Sequence, residues 1–135
     1  MYVFVYGTLK RGYGNNRLLQ SAKFIDSGVT MMPYRILGTG GFPVVLNEKE
    51  HRIAGEVYEI VTKRDLPRLD GLEGYPYMYY RKKVMVELNT TGIKIAAQMY
   101  VGTPSHWELS VPHLQRIMAD ENGVAAWNAR REKVS

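Results

Sequence analysis

Two periodicities divide the chain. Tyr2 to Tyr6 are all β-branched or aromatic, which suits a packed strand, and Gly7 ends the run. Lys23 to Tyr34 carries the apolar residues Phe24, Ile25, Val29 and Met31 and reads as a second strand, broken at Ser27-Gly28. "ILGTGGFPVVLN" is turn-rich up to Phe42 and then apolar to Leu46, a loop feeding a short strand. The run from Ile53 to Val61 alternates apolar and polar, the signature of a half-buried strand. "YYRKKVMVELN" and "IKIAAQMYVG", separated by Asn89-Thr90-Thr91-Gly92, predict an antiparallel hairpin.

Helical spacing is confined to short stretches. Asn16 to Gln20 suits one helical turn. Thr62 and Asp65 make a capping-box-like pair ahead of Leu66, Leu69 and Leu72, so a short helix is expected there, ending near Gly71 to Gly74. Ser110 is placed to cap a helix with Val111, Leu114, Ile117 and Met118 on one face, and Val124, Ala125 and Trp127 extend it as a helical tail. Strands do not alternate regularly with long helices, which argues against a doubly wound parallel sheet. The expectation is an α+β fold: a curled mixed β-sheet forming a small barrel with two or three flanking helices.

Composition narrows the class. With 135 residues, 45% of them hydrophobic, the chain suits one globular domain over 1–135, its helical tail starting at about 110. The lack of cysteine removes disulfides, thiolate metal sites and cysteine nucleophiles, and fits a reducing, cytoplasmic setting. Met1 starts inside the first strand, so no secretory leader is expected, and no apolar run approaches the roughly 20 residues that span a bilayer. A membrane partner is not expected. The net charge of +5 is scattered over Lys10, Arg11, Arg17, Lys82, Lys83, Arg130, Arg131 and Lys133 with no nucleic-acid motif, so no specific nucleic-acid partner is expected either. Oligomeric state is left open.

Several chemistries fail on spacing. Gly7 and Gly12 are separated like the glycines of a phosphate loop, but Tyr13 stands where that loop needs lysine. His51, His106 and His113 lack the pairing that puts two ligands on one helix face, so no metal is expected. What remains is one carboxylate among aromatic rings in "LDGLEGYPYMYYR", where Glu73 is followed by Tyr75, Tyr77, Tyr79 and Tyr80. Enclosed by those rings, Glu73 would have its pKa raised toward the range of a general base; left at a solvated helix end, it would be an ordinary surface acid. Asp70 reads as a cap or structural partner.

"VFVYGTLKRGYGNN" (3–16), "GFPVVL" (41–46), "IAGEVYEI" (53–60) and "LDGLEGYPYMYYRKKV" (69–84), in that order, resemble the gamma-glutamylcyclotransferase-like family, over about residues 2–101. "GTL" is similar to the gamma-glutamylamine cyclotransferase and AIG2-like branch. The resemblance implies a gamma-glutamylcyclotransferase that needs no cofactor and takes a small-molecule gamma-glutamyl amine. It would release 5-oxoproline and an amine. By the same resemblance, Glu73 is the catalytic residue and Tyr6, Gly7, Thr8 and Leu9 form the substrate loop, whose backbone N–H groups would hold a carboxylate or oxyanion. The family's second aromatic falls on Tyr79 or Tyr80; spacing favours Tyr79, with Arg81 on its face. Lys10 and Arg11 would add attraction for an anionic substrate. The alternative is a binding or regulatory module on the same fold with no catalysis.

Overall fold

The computed structural model describes residues 1–128. Strand β1 (Tyr2–Val5) runs antiparallel to the second half of β4 (Pro43–Glu59) and parallel to β6 (Lys94–Gly102). Strand β5 (Tyr79–Leu88) joins β6 to β2 (Lys23–Thr30), and β2 pairs with β4, closing a five-stranded mixed barrel in the order β1-β6-β5-β2-β4. The β5–β6 hairpin turns where the polar connection at Asn89 places it.

Alternation along the closed strands sorts side chains into two cores. Phe4, Val57, Val86 and Met99 fill the barrel interior. Their neighbours Val3, Val5, Tyr58, Tyr79 and Tyr100 point outward, where Leu19 of a 3₁₀ turn (Gly14–Leu19), Leu69 of α1 (Asp65–Glu73) and Trp107 of α2 (Pro104–Trp107) cover them. This second layer is needed because the strands carry apolar side chains on both faces, and the outer set must also leave water.

The structure differs from the sequence expectations at five places. Ile36 to Gly38, expected as the start of a turn-rich loop, belong to strand β3 (Tyr34–Gly38), which also takes Tyr34 from the expected second strand; Gly40, at φ 104°, makes the turn that folds β3 back onto β4. The two strands expected at 42–46 and 53–61 are one 17-residue strand, β4, which pairs with β3 at residues 43–46 and again at His51, the polar stretch 47–50 bulging at the register shift between them. β2 is not broken at Ser27-Gly28, since Gly28 is paired on both sides, to Gly55 and Leu88. Helix α1 begins at Asp65 rather than Thr62, and no side chain caps it; of its three leucines only Leu69 is fully buried.

The helical tail is the largest correction. Over the described part of 110–135 the chain forms a 3₁₀ turn (Val111–His113), a two-residue strand β7 (Gln115–Arg116) on the edge of β3, and β8 (Val124–Ala125) parallel to β4. Asp120 Oδ1 accepts from the N–H groups of Asn122 and Val124 and fixes the turn into β8. Free strand edges and space in the barrel core for Ala125 and Trp127 outweigh a weak helical periodicity. Arg130, Arg131 and Lys133, and the end of the expected tail, lie outside the described residues. Among the described residues, no helix is long and apolar enough to cross a membrane.

Candidate active site

The barrel has a cavity of about 360 Å³ at the end where β1 leaves it. The Tyr6-Gly7-Thr8-Leu9 loop forms one wall, the end of α1 with Leu72 and Glu73 forms another, and Tyr79, Tyr100, Phe42 and Pro43 add to the lining. Residues 6–9 and Glu73, far apart in sequence, therefore meet at one site. So does Tyr79. Tyr80, on the other face of β5, packs against the barrel interior. Arg81 shares the face of Tyr79 but turns to α1, its Nε 3.2 Å from Asp70 Oδ1 and its guanidinium 4.7 Å from the Tyr75 ring centre.

The loop wall is held by side-chain amides. Lys10 N–H donates to Gly7 O at 3.0 Å, closing a turn, and none of the hydrogen bonds of the described loops and turns uses the N–H groups of Gly7, Thr8 or Leu9. Asn15 Nδ2 donates to Thr8 Oγ1 (2.8 Å), and Asn16 Nδ2 donates to Leu9 O (2.8 Å) and to Tyr58 Oη (3.0 Å). Tyr58 in turn donates to Glu56, which also accepts from Arg11 N–H at 2.9 Å. A Cβ on Gly7 would lie 2.8 Å from Pro43 Cδ, so glycine is required by the close approach of β4 and not only by the needs of a ligand. Lys10 and Arg11 are committed elsewhere: Lys10 Nζ donates to Trp127 O at 2.7 Å, and Arg11 pairs with Glu56.

The acid wall is built by a helix stop. Gly74, left-handed at φ 63°, ends α1, and the N–H groups of Gly74 and Tyr75 return to the carbonyls of Asp70 and Gly71. The chain beyond is pinned to α2, with Thr103 Oγ1 donating to Tyr77 O and Trp107 Nε1 to Met78 O (2.8 Å). Glu73 is thereby set as the last helical residue, facing the cavity.

No hydrogen bond or ion pair to the Glu73 carboxylate occurs among the described residues. Burial pushes its pKa up to about 7, because the charged form loses its hydration and gains no partner. The carbonyl end of α1 also disfavours an anion there. The surrounding hydroxyls stay protonated: burial raises the pKa of Tyr6, Tyr79 and Tyr100, and the nearby Glu73 charge raises each further. Their protons are spoken for, with Tyr6 donating to Tyr100 O (2.6 Å), Tyr79 to Pro43 O (3.3 Å) and Tyr100 to Asp70 Oδ1 (2.5 Å). Tyr6, Tyr79 and Tyr100 thus line the same cavity as Glu73 with their protons committed elsewhere, and the Gly7–Leu9 loop lines it too. That arrangement suits a zwitterion and a proton transfer at neutral pH.

Sequence reasoning missed Tyr100, Asn15 and Asn16 as parts of this site. Asn15 and Asn16, two amides following a glycine-rich turn, carried a usable signal, since such side chains lock nearby backbone groups. Tyr100 carried none beyond strand alternation.

The class of protein is given by similarity to known proteins. The family model described as gamma-glutamyl cyclotransferase, AIG2-like, matches residues 3–122. The gamma-glutamylaminecyclotransferase of Bos taurus is 38% identical over 125 residues, covering 83% of this chain and 72% of that protein. A protein of Methanocaldococcus jannaschii with the provisional name gamma-glutamylcyclotransferase is 45% identical over 100 residues, 73% of this chain and 82% of its own. The crystal structure of an AIG2-like protein from Mus musculus superimposes with a TM-score of 0.75 at 27% identity, covering 94% of this chain and 95% of that one. The chain belongs to the gamma-glutamyl cyclotransferase, AIG2-like family and is a cyclotransferase enzyme of that type.

Proposed function

We propose that the enzyme takes a gamma-glutamyl amine and releases 5-oxoproline and the free amine, with Glu73 as the catalytic residue. The observation that carries this reading is the buried Glu73 carboxylate, without a partner among the described residues, in the same cavity as the Gly7–Leu9 loop; that burial pushes its pKa up to about 7. The substrate's own α-nitrogen attacks its γ-carbonyl, so the ring closes within one molecule and the enzyme has to fold the glutamyl chain into reach. Glu73 as carboxylate takes a proton from the α-ammonium group, freeing the nitrogen lone pair. The new C–N bond makes a tetrahedral oxyanion, held by N–H groups of the Gly7–Leu9 loop. Glu73 as acid then gives that proton to the departing nitrogen, the amide C–N bond breaks, and the ring nitrogen sheds its second proton, which the amine carries away as its ammonium form. Both protons lost by the α-nitrogen end on the amine, Glu73 returns to the carboxylate, and no cofactor enters the cycle.

Tyr6 and Tyr79 contribute shape and fixed lone pairs in this reading, and Thr8 and Leu9 contribute backbone. A cytoplasmic setting belongs to the reading and rests on the sequence alone. A panel of gamma-glutamyl amines, assayed for 5-oxoproline and amine in equal amounts, tests the function. Binding of such compounds with no product from any of them would favour the binding-module alternative.

A further inference from the structure

We propose that the segment Val124–Asn128 is a strap that positions the Gly7–Leu9 loop, with Lys10 and Tyr13 as the positioning residues through which it acts. The inference rests on the role given to that loop in the proposed reaction. The segment lies past residue 122, where the family match ends, and no role follows for it from the match.

The strap itself is firmly seated. β8 pairs in parallel with Arg52 and Ile53 of β4, and Ala125 and Trp127 are fully buried in the barrel core. From this fixed base three contacts reach back more than a hundred residues. Lys10 Nζ donates to Trp127 O at 2.7 Å, Tyr13 Oη donates to Asn128 Oδ1 at 2.9 Å, and the Tyr13 ring lies 5.1 Å from the Trp127 ring. Lys10 is drawn out of water to do this: burial lowers its pKa, opposed by the charge of Glu56. A flexible ammonium keeps such a place only when its contact there is strong.

The contact bears on the site through one turn. Lys10 follows Leu9, and its own N–H closes the turn onto Gly7 O that presents the Gly7, Thr8 and Leu9 amides. Asn15 and Asn16 hold the loop through Thr8 Oγ1, Leu9 O and Tyr58 Oη; the strap holds it through Lys10 and Tyr13. Oxyanion donors are effective only when their positions are set before the reaction, so releasing one of the two supports should weaken the transition state without touching Glu73.

Lys10→Met and Asn128→Ala test this in the full chain. Three readouts are compared with the parent: amide exchange at Tyr13, whose N–H donates to Lys10 O at 3.2 Å, the pH profile of kcat/KM, and the melting temperature. Lys10→Met is expected to speed exchange in the loop and to lower kcat/KM by about tenfold, with the acid limb of the pH profile unmoved. Asn128→Ala, which leaves the loop sequence intact, should give the same pattern at about threefold. Unchanged exchange and kcat/KM in both variants overturn the proposal. So does an activity loss matched by the unfolded fraction alone, which would make the contact merely structural. If the parent turns over no gamma-glutamyl amine, the proposed reaction fails, while the exchange readout still decides the strap.

Discussion

The two walls of the cavity are built on opposite plans. In the loop wall, Gly7 to Asn16, side-chain amides, Tyr58, Glu56 and Lys10 hold carbonyls and the turn, while no loop or turn hydrogen bond among the described residues uses the N–H groups of Gly7, Thr8 and Leu9. The acid wall leaves a charge-bearing group unsatisfied, since Glu73 faces the cavity without a partner among the described residues and its pKa rises to about 7. A wall of fixed donors can stabilise charge that appears during a reaction, and a desolvated acid can pass a proton back and forth near neutral pH. Rigidity on one side and electrostatic frustration on the other are therefore complementary requirements of one site. The frustration lowers stability and is tolerated where it serves function.

Glu73→Gln should break the comparison most completely. It keeps the side-chain shape and removes the proton carrier, so kcat should fall by about 10⁴-fold or more, because one group serves both proton steps. Its stability should move the other way. The folded-state pKa near 7 lies above the ordinary 4.5, so the folded protein binds this proton more tightly than the unfolded chain does. That stabilisation is present below pH 4.5 and is lost as pH rises through about 7. Glutamine has no such loss, and the variant's melting temperature should equal or exceed the parent's above pH 7, with its relative advantage shrinking toward pH 4.5. A variant that unfolds would show Glu73 to be structural.

Gly7→Val attacks the other wall and should do two kinds of damage. The new Cβ would meet Pro43 Cδ and Cγ at 2.8 and 2.9 Å, and Pro43 O is the acceptor for Tyr79. Overpacking of this kind costs about 1–3 kcal/mol, readable as a lower denaturant midpoint. Displacing the loop amides should lower kcat/KM by about 10²-fold. The smallest effect separates the two faces of β5. Tyr80→Phe alters the barrel-interior side and should leave kcat/KM within about twofold, its small effects lying in stability. A large activity loss from Tyr80→Phe would mean that the wrong tyrosine has been assigned to the cavity.

The fold was legible wherever local pattern and tertiary pairing agree. β1, the β5–β6 hairpin and the end of α1 near Gly71 to Gly74 follow from a run of β-branched and aromatic residues, a polar connection and closely spaced glycines. Positions decided by distant partners were not legible. The stretch 36–42 reads as a loop because its glycines dominate the local pattern, yet β4 recruits Ile36 to Gly38 into strand β3. The segment after Ser110 spaces Val111, Leu114, Ile117 and Met118 like a helix, but the edges of β3 and β4 take it up as β7 and β8, and Met118 stays exposed. At the site, Glu73 stood out as an acid among rings and the loop as a strand running into glycine. The network behind the loop did not, because Asn16, Tyr58 and Glu56 meet only through the barrel closure that pairs β1 with β4. Lys10 read as bait for an anion and is instead a link to Trp127.

The central claim is that the cavity makes a base of Glu73 by withholding partners from it. Direct titration of the Glu73 side-chain carboxyl by NMR, with the gamma-glutamic carbons labelled and Glu73→Gln used to assign the resonance, measures this without any substrate. The account predicts a midpoint near pH 7 for that one carboxyl, matching the acid limb of kcat/KM. A midpoint near 4.5, the ordinary value for a solvated glutamate, would contradict it.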